Sequence, residues 1–430
     1  MKRFLFVCLV IATLGIVPAF GQKTDITLWT FQELHLTFYQ KMAEKWNAAH
    51  PKEMINLKGE VFPYDDMHNK LLISLQSGVG APDISDIEIS KFANYLQGDI
   101  QLAPLNDLID PEKDKFVQSR LDLYKKDGKY YGLDFHVGAE VMYYNMDIMK
   151  AAGVDIDKIK TWGDYIKAGQ QVVAKTGKPM TTIEVTEHWS YYPLLNMAGS
   201  DVVDSNGRVT LDDPINVKVL QLLKDMIYKY KIAIPTPGGF HHNEQYYGFM
   251  NDGGAASIWM PMWYMGRFTD YMTDLSGKIA VRPMPKFDGA DIVYNIKSPY
   301  TSAGMGGTGT AVIKTSKNLA LAKKFLYFCK GSKEGTIATW TDLGFDPLRW
   351  DVWSDPAMKA PNKFTKFFVN KENIFDVLLQ VKDGFNTTNV GGKYPAVIDA
   401  IKHTVMYKVL VEQSKTPEQA LKEAAAELRK

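Results

Sequence analysis

Residues 25–31, Asp25-Ile26-Thr27-Leu28-Trp29-Thr30-Phe31, alternate polar and apolar side chains and are rich in β-branched and aromatic types, a pattern that predicts a strand. Beyond Gln32-Glu33-Leu34-His35, the residues Tyr39, Met42, Ala43 and Trp46 recur at the spacing of one helix face. A strand that runs straight into a helix opens an α/β domain. The loop between them lies at the strand's carboxyl end, where open α/β sheets bind their ligands. Residues 55–62 read as a second strand and 67–77 as a helix that presents Leu71, Leu72 and Leu75. Gly78-Val79-Gly80-Ala81-Pro82 stops that helix, and residues 83–88 then alternate strictly, as a half-buried strand does. Strand, helix, strand, helix, strand predicts a parallel sheet with crossover connections.

Further along, residues 141–145, 279–285 and 310–313 read as strands. Thr161-Trp162-Gly163-Asp164 is a capped helix start, and Thr416-Pro417-Glu418-Gln419 is another. Residues 213–231 carry one long apolar stripe, Ile215, Val219, Leu222, Leu223, Met226, Ile227 and Tyr230, which is core and carries no function. There is no internal repeat and no low-complexity tract.

The first 21 residues have the pattern of a secretory signal peptide: Lys2 and Arg3, an apolar run to Val17, and a small-x-small site at Ala19-Phe20-Gly21. Removing those 21 of 430 residues leaves 409, which is about two domains' worth of chain. Losing Lys2 and Arg3 takes the formal charge from +1 to −1. A near-neutral exported chain without a basic stripe argues against nucleic acid and against a polybasic membrane surface. One cysteine remains, Cys329, so no internal disulfide is available. It shares a helix face with Ala322, Phe325 and Leu326 and reads as a buried structural thiol. No H-E-x-x-H pattern occurs, His241-His242 stands isolated, and Gly304-Met305-Gly306-Gly307-Thr308-Gly309 lacks the lysine of a phosphate-binding loop. The expectation is therefore no metal and no cofactor.

Several motifs, in order, resemble the extracellular sugar-binding proteins of ABC importers, the group that includes maltose-binding protein. They are Ile26-Thr27-Leu28-Trp29, Gly80-Ala81-Pro82-Asp83-Ile84, residues 127–133 (Asp-Gly-Lys-Tyr-Tyr-Gly-Leu), Tyr143-Tyr144-Asn145-Met146-Asp147 with Gly153, Thr161-Trp162-Gly163-Asp164, the Phe249–Ala256 segment, Pro283-Met284-Pro285 and Lys314-Thr315-Ser316-Lys317-Asn318. Asp134 stands where the family usually has proline, and Ser257 where methionine is common. The resemblance implies an α/β protein of two lobes, each a mainly parallel sheet flanked by helices, with the sugar held in the cleft between them. It places crossovers near 134–140, 302–308 and 353–360. The lobes are then 22–136 plus 306–355, and 137–305 plus 356–430. The implied partners are a carbohydrate and a membrane permease; the protein itself is expected to be a periplasmic monomer and not an enzyme. Residues 29–35 together with Tyr64-Asp65-Asp66-Met67-His68-Asn69 resemble the arabinose and arabino-oligosaccharide branch.

A sugar site needs aromatic platforms for C–H faces and planar polar groups for hydroxyls. Trp29, Phe31, Glu33 and His35 are the first candidates, although Trp29 could equally be core. Tyr64 and Asp65 follow the second strand, where an ordinary turn is the plainer reading. Asp83, Asp86 and Glu88 are close in sequence; Asp86 and Glu88 would stand about 7 Å apart on one strand face. That spacing alone could suit an inverting glycosidase, so a secreted glycoside-active enzyme is the alternative from another class. A polyol or another small solute in the same fold is a narrower one. Asp83 reads as structural, and Asp86 or Glu88 as an acceptor for sugar hydroxyls. His136 flanks the first crossover, and Gly306 lies in the second, where glycines can absorb rotation. Glu187, Trp189 and Tyr192 belong to a dense aromatic-polar cluster that matches, by position, a segment supplying sugar contacts in the family. Trp259, Trp263, Arg349 and Tyr394 complete the expected site.

Overall fold

The computed structural model describes residues 22–370, 373–386 and 388–430; the segment 1–21, read from the sequence as a signal peptide, lies outside them. The strands that organise the fold are β1 (Thr24–Thr30), β2 (Ile55–Val61), β3 (Ile84–Glu88), β4 (Glu140–Asn145), β5 (Ser257–Pro261), β6 (Ile279–Pro283) and β7 (Thr308–Val312). β7, β3, β1 and β2 form one sheet in that order, and β6, β4 and β5 form another. In the first, β1 runs parallel to both β2 and β3, with β7 added antiparallel to β3. The second sheet is antiparallel throughout. A short parallel pair, Thr181–Ile183 with Ala233–Pro235, lies beside it.

Helices α1 (Glu33–Ala49), α2 (Tyr64–Ser77) and α3 (Ile89–Phe92) follow β1, β2 and β3 directly. Strand alternation sorts the first sheet's two faces. Ile26 and Leu28 join α1's Phe38, Tyr39, Met42 and Trp46 in one core, whereas Trp29 joins Met67 and Leu71 of α2 in the other. Asp83 fixes the entry to β3: Oδ2 accepts from the Thr27 amide at 2.8 Å and hydroxyl at 2.9 Å, while Oδ1 accepts from Ser316.

The second lobe is built on α4 (Trp162–Thr176) and α5 (Pro214–Tyr228). α4 begins with the capping box anticipated at Thr161 and Asp164; in the apolar stripe read over 213–231, Val219, Leu222, Leu223 and Met226 of α5 are buried, and Ile215, Ile227 and Tyr230 pack partly buried against the same core. Helix α6 (Leu319–Lys330) returns to the first lobe, where Cys329 is buried. Helices α7 (Tyr394–Ala400) and α8 (Pro417–Leu428) close the chain.

Three chain segments pass between the sheets side by side. Leu133 bridges Thr310, Ala139 bridges Gly304, and His136 bridges Pro347, all antiparallel. On the third segment Phe345 and Leu348 pack in the first lobe's core, and Val352 and Trp353 in the second's. Asp134 is a clamp here. Its Oδ2 accepts from Arg120 at 2.5 Å and Tyr124 at 2.6 Å, and its Oδ1 from the amides of Phe135 and Thr308. Arg120 also donates to the Gly306 carbonyl at 2.6 Å. Burial opposes the Asp134 charge, but Arg120, together with His136, the Tyr124 hydroxyl and Lys330, outweighs it and holds the carboxyl well below the usual range. A hydrogen-bonded carboxylate thus organises the crossing where a proline ring would otherwise restrict it.

Candidate ligand-binding cleft

The lobes touch: α7 packs against α3 and the 93–96 turn. Beneath this contact, the first lobe presents the ends of β1 and β3. Phe31, half-buried, meets the Tyr64 ring edge-on at 5.3 Å and the His68 ring at 5.2 Å. His68 is fully committed: Nδ1 donates to the Tyr64 carbonyl at 2.6 Å, and Nε2 accepts from the Glu88 amide at 3.0 Å. Burial lowers its pKa to about 4, so it stays neutral. Glu88, half-buried, takes three donors on Oε2, namely the Tyr64 hydroxyl at 2.8 Å, the Ser90 amide at 2.8 Å and the Ser90 hydroxyl.

Behind these groups lies a sealed polar knot. Asp86 is wholly buried and accepts from Thr30, His35, Tyr39 and Thr310. Lys330 sits 3.9 Å from it, 3.2 Å over the Phe135 ring, and donates to the Leu133 and Thr308 carbonyls. Burial brings Lys330 down to about 8, against the pull of Asp86. Burial also opposes the Asp86 charge, but Lys330 and His35 overcome it and keep the carboxyl low. The 3.0 Å contact of His35 Nδ1 with Asp86 assigns the proton to Nδ1, leaving Nε2 as the acceptor.

The second lobe contributes a corner of two tryptophans. Trp189 and Trp263 meet at 5.4 Å, nearly perpendicular, and His242 stacks on Trp263 at 5.6 Å. Trp263 touches cores of both lobes. Its indole donates to the Met305 carbonyl at 3.1 Å. The buried carboxylate of Glu184 holds the corner, accepting from the Trp189 amide at 3.0 Å and the His241 amide at 2.8 Å. Gly306, at φ 68°, lies against both rings; a Cβ there would sit 3.0 Å from Trp263 Nε1 and 3.3 Å from Trp189 Cη2. Beside the corner, Glu187 lies 3.3 Å from His188 Nδ1 and 2.9 Å from Lys402 Nζ. His136 Nδ1 and His242 Nε2 are sealed from solvent without a hydrogen-bond partner among the described residues. Burial takes the pKa of His136 to about 3. Perpendicular indoles rimmed by carboxylates, neutral imidazoles and an ammonium group form a surface suited to a polyhydroxylated ring.

Eight of the expected site residues lie elsewhere. Trp29 is packed under α2 against Phe62, with Lys70 over its ring and its indole N–H near Glu60, because the strand's alternation turns it there. Asp86 is the centre of the sealed knot, with no oxygen left for a ligand. Trp259 points into the core against Trp162 and donates to the Ser190 carbonyl. Tyr192 is buried and donates to Asp201, and Tyr394 packs behind it at 5.8 Å. Arg349 is spent on Glu112, Asp351 and the Gly331 carbonyl. Asp65 is exposed at the start of α2, 3.7 Å from Lys91. Glu33 is exposed in the first turn of α1. Among the described residues no group of three or more His, Cys, Asp or Glu could hold a metal ion.

Residues 32–335 match the family model described as bacterial extracellular solute-binding protein. The chain belongs to that family. This solute-binding protein is 51% identical to the arabinooligosaccharide-binding protein of Bacillus subtilis (strain 168), over 95% of this chain and 92% of that one. It is 48% identical to the protein of the same name from Halalkalibacterium halodurans, over 93% and 88%. Among solved structures, an ABC substrate-binding protein of Listeria monocytogenes in complex with cycloalternan superposes with a TM-score of 0.75 at 21% identity, covering 95% and 98%. That likeness shows the shared two-lobed fold.

The cleft of this solute-binding protein also contains groups that pattern reading passed over. His242 was legible only as half of an isolated histidine pair. Lys402 carries no local signal, because the Ile401–Val405 turn that presents it is a π-helix, outside the periodicities used to read helix faces.

Proposed function

We propose that this solute-binding protein captures an arabino-oligosaccharide in the cleft between its lobes and delivers it to the membrane permease of an ABC importer. The observation that carries this reading is the Trp189–Trp263 corner of the second lobe, together with the first lobe's Glu88, whose Oε2 is anchored by three donors. Two curated relatives near 50% identity are named for that ligand class. In this reading Trp189 and Trp263 stack on sugar faces, and Glu88, Glu187, His35 and His136 exchange hydrogen bonds with hydroxyls. Phe31 and Tyr64 form the apolar wall. Gly306 keeps the floor low. The lobes comprise 22–136 plus 306–348, and 137–305 plus 352–430, the third crossing falling before the 353–360 expected from the sequence because Val352 and Trp353 pack in the second lobe's core; the protein works as an exported monomer. Binding favours the closed arrangement by contacting both lobes at once. The acid–base pair needed by a glycosidase is unsupported, since Asp83 and Asp86 are saturated by internal donors.

Tryptophan fluorescence titrated with arabino-, malto- and galacto-oligosaccharides tests the proposal, with the sugars analysed for breakdown afterwards. Saturation by arabino-oligosaccharides with intact sugar is the expected result. Saturation only by another class would move the ligand assignment, and time-dependent hydrolysis would overturn the binding-protein reading.

A further inference from the structure

Glu88 belongs to the first lobe and caps α3 by accepting from the Ser90 amide. Helix α7, from the second lobe, packs on α3 and runs directly into the π turn that carries Lys402. Such turns interrupt an α-helix with one wide turn and recur at functional sites. Lys402 pairs with Glu187 at 2.9 Å, with 20% and 21% of the two side chains exposed. All the donors to Glu88 converge on Oε2, and among the described residues none reaches Oε1. Lys402 makes no ion pair with Glu88, although the Glu88 charge acts on it along with that of Glu187. The packing of α7 on α3 therefore brings together, from different lobes, the element end that carries an open carboxylate oxygen and the turn that carries an ammonium group.

We propose that Lys402 is a specificity-determining residue of the cleft: together with the open oxygen of Glu88 it grips one saccharide hydroxyl from both lobes, the hydroxyl donating to Glu88 and accepting from Lys402. This rests on the saccharide reading above. A hydroxyl is the group that satisfies both sides, because it donates and accepts at once. A ligand lacking a hydroxyl there leaves a partly desolvated acceptor and donor unpaired, which costs closure. Glu187 acts as the positioning residue that holds the flexible lysine in place.

Calorimetric titration of the full-length mature protein with arabinotriose, comparing the parent with Lys402→Met, Glu88→Gln and the double variant, tests this. Each single variant is expected to bind about tenfold more weakly, and the double about as weakly as the weaker single, because both act through one hydroxyl. Lys402→Gln, which keeps a neutral donor, should recover part of the loss and serves if Lys402→Met fails to fold; urea unfolding of each variant reports that directly. Parent-like affinity in the folded lysine variants, or a double variant weakened by the full product of the singles, would overturn the inference while leaving saccharide binding intact. A parent that binds no saccharide would overturn the reading beneath it as well.

Discussion

Replacing Gly306 by alanine puts a methyl group where the second crossing touches both tryptophans. The backbone there is left-handed, at φ 68°, which costs an L-residue roughly 1–2 kcal/mol. The new Cβ would also lie 3.0 Å from Trp263 Nε1 and 3.3 Å from Trp189 Cη2. Trp263 cannot retreat freely, because that nitrogen donates to the neighbouring Met305 carbonyl. Overpacking of this kind costs about 1–3 kcal/mol, so the total is about 2–5 kcal/mol. Gly253 supplies the control: its φ is 63° and an added Cβ meets nothing within 4 Å, so Gly253→Ala carries the strain alone. Urea unfolding of both variants measures the difference, and saccharide titration should show that only Gly306→Ala weakens binding, since only it displaces the rings. Equal stabilities for the two variants, or unchanged affinity in Gly306→Ala, would refute the argument that this glycine exists to let the rings approach.

Four further outcomes follow from the buried charges and rings. Burial raises Asp346 to about 7, so its contribution to stability is present at low pH and is lost as pH rises from about 4 through 7; Asp346→Asn should gain roughly 4 kcal/mol on the parent between pH 4 and pH 8 in urea unfolding, and parallel pH profiles would contradict this. Lys330→Met strands Asp86 without its cation and should cost about 3–5 kcal/mol, read from the same unfolding curves. Trp263→Ala should weaken saccharide binding by about tenfold or more, near 1.4 kcal/mol. Trp259→Phe, by contrast, should lower stability by about 1–3 kcal/mol and leave affinity unchanged.

Element order and most boundaries in the first lobe were legible, because alternation and the helical period are local properties of the chain. The site was legible only in part, and Asp86 and Glu88 show why. Two residues apart on a strand, they should share a face. β3 ends at Glu88, however, so Glu88 leaves the strand to cap α3 while Asp86 stays under the sheet's cover. Trp259 and Trp263 divide in the same way, one inside β5 and the other in the turn beyond it. Tyr192 falls inside a helix whose side chains are all buried, and Trp189 in the loop before it. In each pair the residue proposed for the cleft lies at or just outside the end of an element, and pattern reading is weakest at such ends. The Asp86–Lys330 pair joins residues far apart in the chain and the Asp134–Arg120 pair residues 14 apart, and nothing local announces either.

The three crossings bear on how the lobes can move. The first crossing is bridged to the second at Leu133–Thr310 and Ala139–Gly304, and to the third at His136–Pro347. It is the middle ply of a three-ply strap, and Asp134 stitches two of the plies together. A strap bends readily across its width and resists being wrung. The lobes can therefore open and shut like a book, but they cannot swivel about the strap's long axis without tearing those bridges. Each closure is then expected to bring back the same registration of the two cleft walls. The selectivity of the cleft is thus set as much by the strap that connects the lobes as by the side chains that line them.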